Sequence, residues 1–248
     1  MSAELSLYRV GRGPDRAGSH REQRIAVPAY FWPSPDWSRI MQAGPRVGMV
    51  VINRASGPGT ATTPGLGEQV ADVRAMGTTV IGYVDTANAG RAHREVHADF
   101  DRYVDWYGVD GVFLDQAQVN AKAVDDYYRP LYLEIKRRAP EAVVVLNPGA
   151  AMPENVMSAT DFLLGFEGSW ADYRSWSAHT WTTSYPMSRF WHIVHGVDPA
   201  GIAELRQRSQ AMGAGWLYAT DQHYGTHPPG RHLYDRLPSG AMWVASLR

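Results

Sequence analysis

The chain of 248 residues is 44% hydrophobic and carries a formal net charge of −1, which suits one continuous core and provides no basic field for a nucleic-acid backbone. It has no cysteine, so disulfide scaffolds, thiol catalysis and thiolate metal sites are excluded. No run approaches the roughly 20 apolar residues of a membrane-spanning helix.

Residues 1–24 place Arg9, Arg12, Arg16, Arg21 and Arg24 among Gly, Ser and Pro, without the apolar core of a signal peptide. This segment is expected to be a flexible lead-in, and the chain as given reads as cytoplasmic. From Ile25 to Arg248 a single domain is expected, in which strand-length apolar runs alternate with helical periods. The strands are expected over Ile25 to Phe31, Val47 to Asn53, Thr79 to Asp85, Gly111 to Asp115, Ala142 to Asn147, Phe162 to Glu167, Phe190 to His195 and Trp216 to Thr220. Helical segments over Gly67 to Met76, His93 to Tyr107, Val124 to Arg138 and Pro199 to Met212 lie between them. Gly44, Gly77, Gly108 and Gly213 stand where left-handed helix ends favour glycine. Eight such units predict an α/β fold of the (β/α)8 TIM-barrel type. A doubly wound sheet would show a glycine-rich phosphate turn after its first strand. Here that turn is Tyr30-Phe31-Trp32-Pro33-Ser34-Pro35. The segment from Gly225 onward is expected to cross the barrel or close its last unit.

A parallel barrel keeps its chemistry at the C-terminal ends of its strands. Those ends carry Tyr30, Asn53, Tyr83 with Asp85, Asp115 with Gln116, Asn147, Glu167, His192 with His195, and Tyr218 with Thr220 and Asp221. Phenol, amide and carboxylate groups converging on one mouth suit a ligand rich in hydroxyls or amides. Gly111, Phe113 and Asp115 share one face of the fourth strand, and simple alternation puts Asp161, Leu163, Gly165 and Glu167 on one face of the sixth. Asp115 and Glu167 are therefore the candidate catalytic pair. A carboxyl separation of about 5–5.5 Å would suit a retaining glycosidase, and about 6.5–9.5 Å an inverting one. Asp115 as a helix cap is disfavoured because the next helix begins only near Ala123. Asp85 is as well placed to form a turn with Thr86 and Asn88 as to bind a ligand.

Tyr30, Phe31, Trp32 and Trp37 follow the first strand, and Trp170, Tyr173, Trp176, Trp181 and Tyr185 follow the sixth. Aromatic faces stack on sugar rings, although Tyr173 and Trp176, three apart on a helical segment, are equally suited to a core. No metal site is expected. His93 and His97 flank Glu95 without the zincin spacing and read as an exposed helix face, while His192 and His195 point to opposite sides of their strand. His223 and His227 are weak candidates for the pocket rim.

Several motifs in order resemble the spherulin 4 family of barrel glycoside hydrolases over Ala26 to about Thr220. They are Val51-Ile52-Asn53 followed by Ser56-Gly57-Pro58-Gly59, Ile81-Gly82-Tyr83-Val84-Asp85-Thr86, Gly111 to Asp115, Leu146-Asn147-Pro148-Gly149 and Phe166-Glu167. The resemblance implies an endo-acting, cofactor-free hydrolase of α-1,4-linked galactosamine and N-acetylgalactosamine polymers, the class represented by fungal galactosaminogalactan. It also suggests secretion, and no partner beyond the saccharide is called for, so a monomer is expected. Asp115 and Glu167 fall on the family's acidic positions, with Asp115 read as nucleophile and Glu167 as acid/base, roles that are open to exchange. Tyr30, Trp32, Asn53, Tyr83, Asp85, Gln116, Asn147, Trp170, His192 and Tyr218 are the expected saccharide contacts. Family members commonly carry a second acid directly after the fourth-strand aspartate, where this chain has Gln116. A carbohydrate-binding barrel with impaired catalysis is the alternative.

Overall fold

The computed structural model describes residues 23–117, 120–149, 152–224 and 232–248. Eight parallel strands close into a barrel in chain order: β1 (Arg24–Ala29), β2 (Val47–Ile52), β3 (Thr79–Asp85), β4 (Gly111–Asp115), β5 (Val143–Leu146), β6 (Phe162–Ser169), β7 (Phe190–His195) and β8 (Trp216–Thr220). The helices α1 (Asp36–Ala43), α2 (Leu66–Ala75) and α3 (His93–Tyr107) follow the first three strands. After β4, α4 (Ala121–Ala123) runs through a π turn over Val124–Tyr128 into α5 (Arg129–Arg138), so the helix expected from Val124 has a wide first turn. The ring is completed by α6 (Trp170–Ser175), α7 (Ile202–Ala211) and α8 (Gly240–Ser246). Among the described residues, no helix is long and apolar enough to cross a membrane.

The lumen is filled by side chains. Phe113 stacks on Tyr83 at 6.0 Å and meets Trp191 edge-on at 5.8 Å, which makes a solid aromatic floor below the mouth. Asp110, near the opposite end, is bound by Arg74 through two guanidinium nitrogens and accepts the Val80 N–H, tying α2 to β3. Gly111 is required by close approach, since a methyl group there would lie 2.0 Å from the Val143 carbonyl oxygen.

The sixth strand departs from simple alternation. Its pairing with β7 slips between Leu164 and Phe166, so Leu164 lies opposite Trp191 but Glu167 opposite Ile193. The extra residue returns Glu167 to the lumen face and turns Gly165 outward, where it lies against His192. Asp161 precedes the strand altogether, bonded to Tyr132 and to the Val144 N–H and paired with Lys136. The expected common face for Asp161, Leu163, Gly165 and Glu167 is therefore corrected.

The chain end both closes the last unit and crosses the barrel. In α8, Met242 and Trp243 are buried against the outer layer. Ahead of it, residues 232–239 return over the mouth and are tied to β1 and α1. The Tyr30 N–H donates to the Tyr234 carbonyl at 3.1 Å, the Leu237 N–H to Asp36 Oδ2 at 2.8 Å, and Arg39 to the Pro238 carbonyl at 2.7 Å.

Candidate active site

Asp115 and Glu167 meet over the aromatic floor, and Asn147 joins them. Its side-chain nitrogen donates to Asp115 Oδ1 at 2.7 Å and to Glu167 Oε2 at 2.8 Å, so those two oxygens lie within about 5.5 Å of each other. An amide has two N–H donors, and here each goes to a different carboxylate. The amide cannot be reversed without loss, because its oxygen accepts the Gly149 N–H at 3.1 Å.

The outer oxygens are held by phenols. Tyr83, on the lumen face of β3, donates to Asp115 Oδ2 at 2.6 Å, and Tyr234 donates to Glu167 Oε1 at 2.5 Å. Each of the four carboxylate oxygens thus takes a side-chain hydrogen bond, forming a chain Tyr83–Asp115–Asn147–Glu167–Tyr234. Tyr30 stands between the two phenols, its ring 5.8 Å from that of Tyr83 and 5.4 Å from that of Tyr234.

Burial disfavours the ionised form of both acids and pushes both upward. The environments nevertheless differ. Against burial, Asp115 is stabilised as an anion by Tyr83, the Gln116 backbone N–H and Asn147, and it is raised further by the negative charge of Asp85. Glu167 has only Tyr234 and Asn147 as donors and is further raised by the negative charge of Asp115.

The turn after β4 is braced from β3. Gln116 adopts a left-handed φ of 49°, an uncommon conformation that costs roughly 1 kcal/mol or more. Its carbonyl accepts the Asn88 N–H at 2.9 Å from a loop in which Ala87, Asn88 and Ala89 are all left-handed. The buried Thr86 hydroxyl sits 2.8 Å from the Asp115 carbonyl and 3.0 Å from the Tyr128 hydroxyl. Two tight loops thereby hold Asp115 in place, and the Gln116 side chain is left exposed at the mouth, facing the Tyr83 phenol.

The other expected contacts divide. Trp32 is half-buried at the rim, donating to the Asn53 carbonyl at 2.8 Å, with the Arg54 guanidinium over its ring at 3.9 Å. The Asn53 side chain accepts the Gly57 N–H, and Asp85 accepts the Ala87 N–H at 2.6 Å as a turn former. Tyr218 is buried edge-on to Tyr234. Trp170 lies in the layer between barrel and helices with Arg174 over its ring. His192 faces that same layer: its Nδ1 meets the Tyr173 hydroxyl at 2.7 Å, and burial lowers its pKa to about 3. Phe166, Tyr173, Trp176 and His192 pack on one another there, so much of the aromatic cluster after β6 is core.

His195 is the histidine of β7 that shares the lumen face with Trp191, and it packs against Tyr224. His93 and His97, expected on an exposed face, are half-buried and both bonded to Glu134 of α5. His223 is exposed, and His227 lies outside the described residues. Tyr234 had no signal in the sequence, since only the path of the returning segment brings it to Glu167. Tyr224, exposed and close enough to both acids to feel their charge, was also missed.

A family model described as Spherulin4, spherulation-specific family 4, matches residues 24–246. Spherulin-4 of Physarum polycephalum is 28% identical over 220 residues, which is 83% of this chain and 65% of that protein. Among solved structures, Aspergillus clavatus Sph3 in complex with GalNAc is similar with a TM-score of 0.74 and 22% identity, over 92% of this chain and 98% of its own. The endo-1,4-beta-mannanase from Eisenia fetida follows the same barrel path with a TM-score of 0.52 and 12% identity, over 96% and 93% of the two chains. The matched span contains all eight strands, both paired acids and the returning segment, and by it the chain belongs to spherulation-specific family 4.

Proposed function

We propose that this protein is a retaining, endo-acting glycoside hydrolase that cleaves α-1,4-linked polymers of galactosamine and N-acetylgalactosamine. The observation that carries the reading is the shared Asn147 amide, which keeps the inner oxygens of the two acids no more than about 5.5 Å apart and so supports the close spacing, about 5–5.5 Å, that suits direct attack by one carboxylate. The GalNAc bound to the structurally similar Sph3 supports the sugar class.

In this mechanism Asp115, whose three donors offset part of the cost of burying its charge, attacks the anomeric carbon as the glycosidic bond breaks. Glu167, its pKa raised by burial and by the neighbouring charge, protonates the departing oxygen. The resulting glycosyl ester at Asp115 is then cleaved by a water that gives its proton to Glu167. Trp32 and Tyr224 line the rim as stacking surfaces for flanking sugars.

The test is incubation with α-1,4-galactosamine polymers and with neutral glucans. Oligosaccharide release is expected only from the former, with Asp115→Asn and Glu167→Gln each lowering kcat by about 100-fold or more. Release unchanged in both variants would remove the mechanism. Gln116, in place of a second acid, favours a second reading in which the barrel binds saccharide without cleaving it. Saturable binding with no turnover would select that reading.

A further inference from the structure

Tyr234 is the partner of Glu167 that comes from the returning segment after β8. It is 1% exposed, and its ring is packed against Tyr30, Tyr218 and His232 at 5.4, 6.0 and 5.1 Å. The backbone bonds to Tyr30 and Asp36 fix the segment on one side. On the other, Arg236 binds Gln222 Oε1 at 2.6 Å and the Ser239 N–H donates to Asp221 at 3.0 Å. A phenol so enclosed cannot swing away from Glu167, and its hydroxyl needs no rearrangement to donate to Oε1.

A carboxyl group held through one oxygen can rotate about its final bond, whereas one held through both oxygens has its plane fixed. Asn147, directly after β5, supplies one anchor and Tyr234 the other. We propose that Tyr234 is a positioning residue for Glu167, fixing the plane of its carboxyl group and setting the pH above which the site lacks its acid. The proposal rests on the reading of Glu167 as the acid/base. A phenol donating to a carboxylate stabilises the charged form, so it holds Glu167 below the value that burial alone would impose.

The other groups facing this point act differently. Asp115 raises Glu167 through its charge. The phenols of Tyr30, Tyr83 and Tyr224 are themselves raised, that of Tyr224 to about 12, and remain neutral at working pH. His232 packs on the Tyr234 ring, and Asn147 is uncharged.

Tyr234→Phe keeps the ring and removes only the donor. The alkaline limb of its kcat/KM profile is expected about one pH unit higher, with kcat lowered roughly tenfold and KM little changed. In protein labelled with carbon-13 at the glutamate carboxyl, the Glu167 midpoint, assigned with Glu167→Gln, should rise by the same amount. A midpoint that stays in place would overturn the proposal. If Tyr234→Phe fails to fold, the unaltered chain labelled at the tyrosine Cζ serves instead. The Tyr234 signal should follow the Glu167 titration and cease to do so in Glu167→Gln, and a signal indifferent to that titration rejects the coupling. These titrations need no substrate. Shifted midpoints in a protein that cleaves no galactosamine polymer would sustain the coupling and defeat the hydrolase reading. Cleavage with unmoved midpoints would defeat the positioning role alone.

Discussion

Asn147 is the smallest group in the site with two dependants. Removing its amide takes one donor from each acid and leaves Glu167 with Tyr234 alone, and an unsatisfied buried polar atom costs about 1–3 kcal/mol. Asn147→Ala is therefore expected to lower stability by about that amount in urea unfolding and to lower kcat by about 100-fold, because both acids lose an anchor. An unchanged kcat would mean that the amide is a bystander. At this scale the two acids were legible, since each ends an apolar strand on the mouth side. Asn147 was legible as a mouth residue but not as a bridge, because a side chain's partner depends on distances between strands that no spacing encodes. Tyr83 gave the same partial signal, while Tyr234 gave none. The residues that fill the lumen face of one strand can be counted off, but a phenol delivered by a returning segment cannot.

At the scale of elements, the slip in β6 matters most. A strict alternation through Phe162–Ser169 could not have both Leu164 opposite Trp191 and Glu167 opposite Ile193. Gly165 makes the slip possible by letting His192 approach: a methyl group there would sit 3.2 Å from His192 Nε2, tighter than ordinary contact. Gly165→Ala is expected to cost about 1–3 kcal/mol in thermal unfolding, with a larger loss of activity than stability alone explains, because the strand would shift Glu167. Equal activity per folded molecule would show that the slip does not aim the acid. Strand positions, helix α3 and the left-handed glycines at 44, 77, 108 and 213 could be foreseen from periodicity and stop signals. The slip could not, since one extra residue leaves the hydrophobic run intact while reversing which side chains face inward. The same gap hid the outward orientation of His192, which fills the layer against α6 with Tyr173.

For the molecule as a whole, closure of the barrel brings groups from β3, β4, β5, β6 and the returning segment to one place, and the result is a pair of like-charged acids tolerated at close range. Burial destabilises the ionised form of both, and the charge of Asp115 that of Glu167 further, while three donors on Asp115 and two on Glu167, with Asn147 common to both, offset this. The barrel was foreseeable because eight strand and helix periods leave few alternatives. The most direct test follows the anomeric proton by NMR during the first turnovers on an α-1,4-galactosamine oligomer. The product is predicted to appear first as the α-anomer, by way of a glycosyl ester at Asp115, and to equilibrate afterwards. First appearance of the β-anomer would contradict a pair bridged by Asn147 and acting by direct attack.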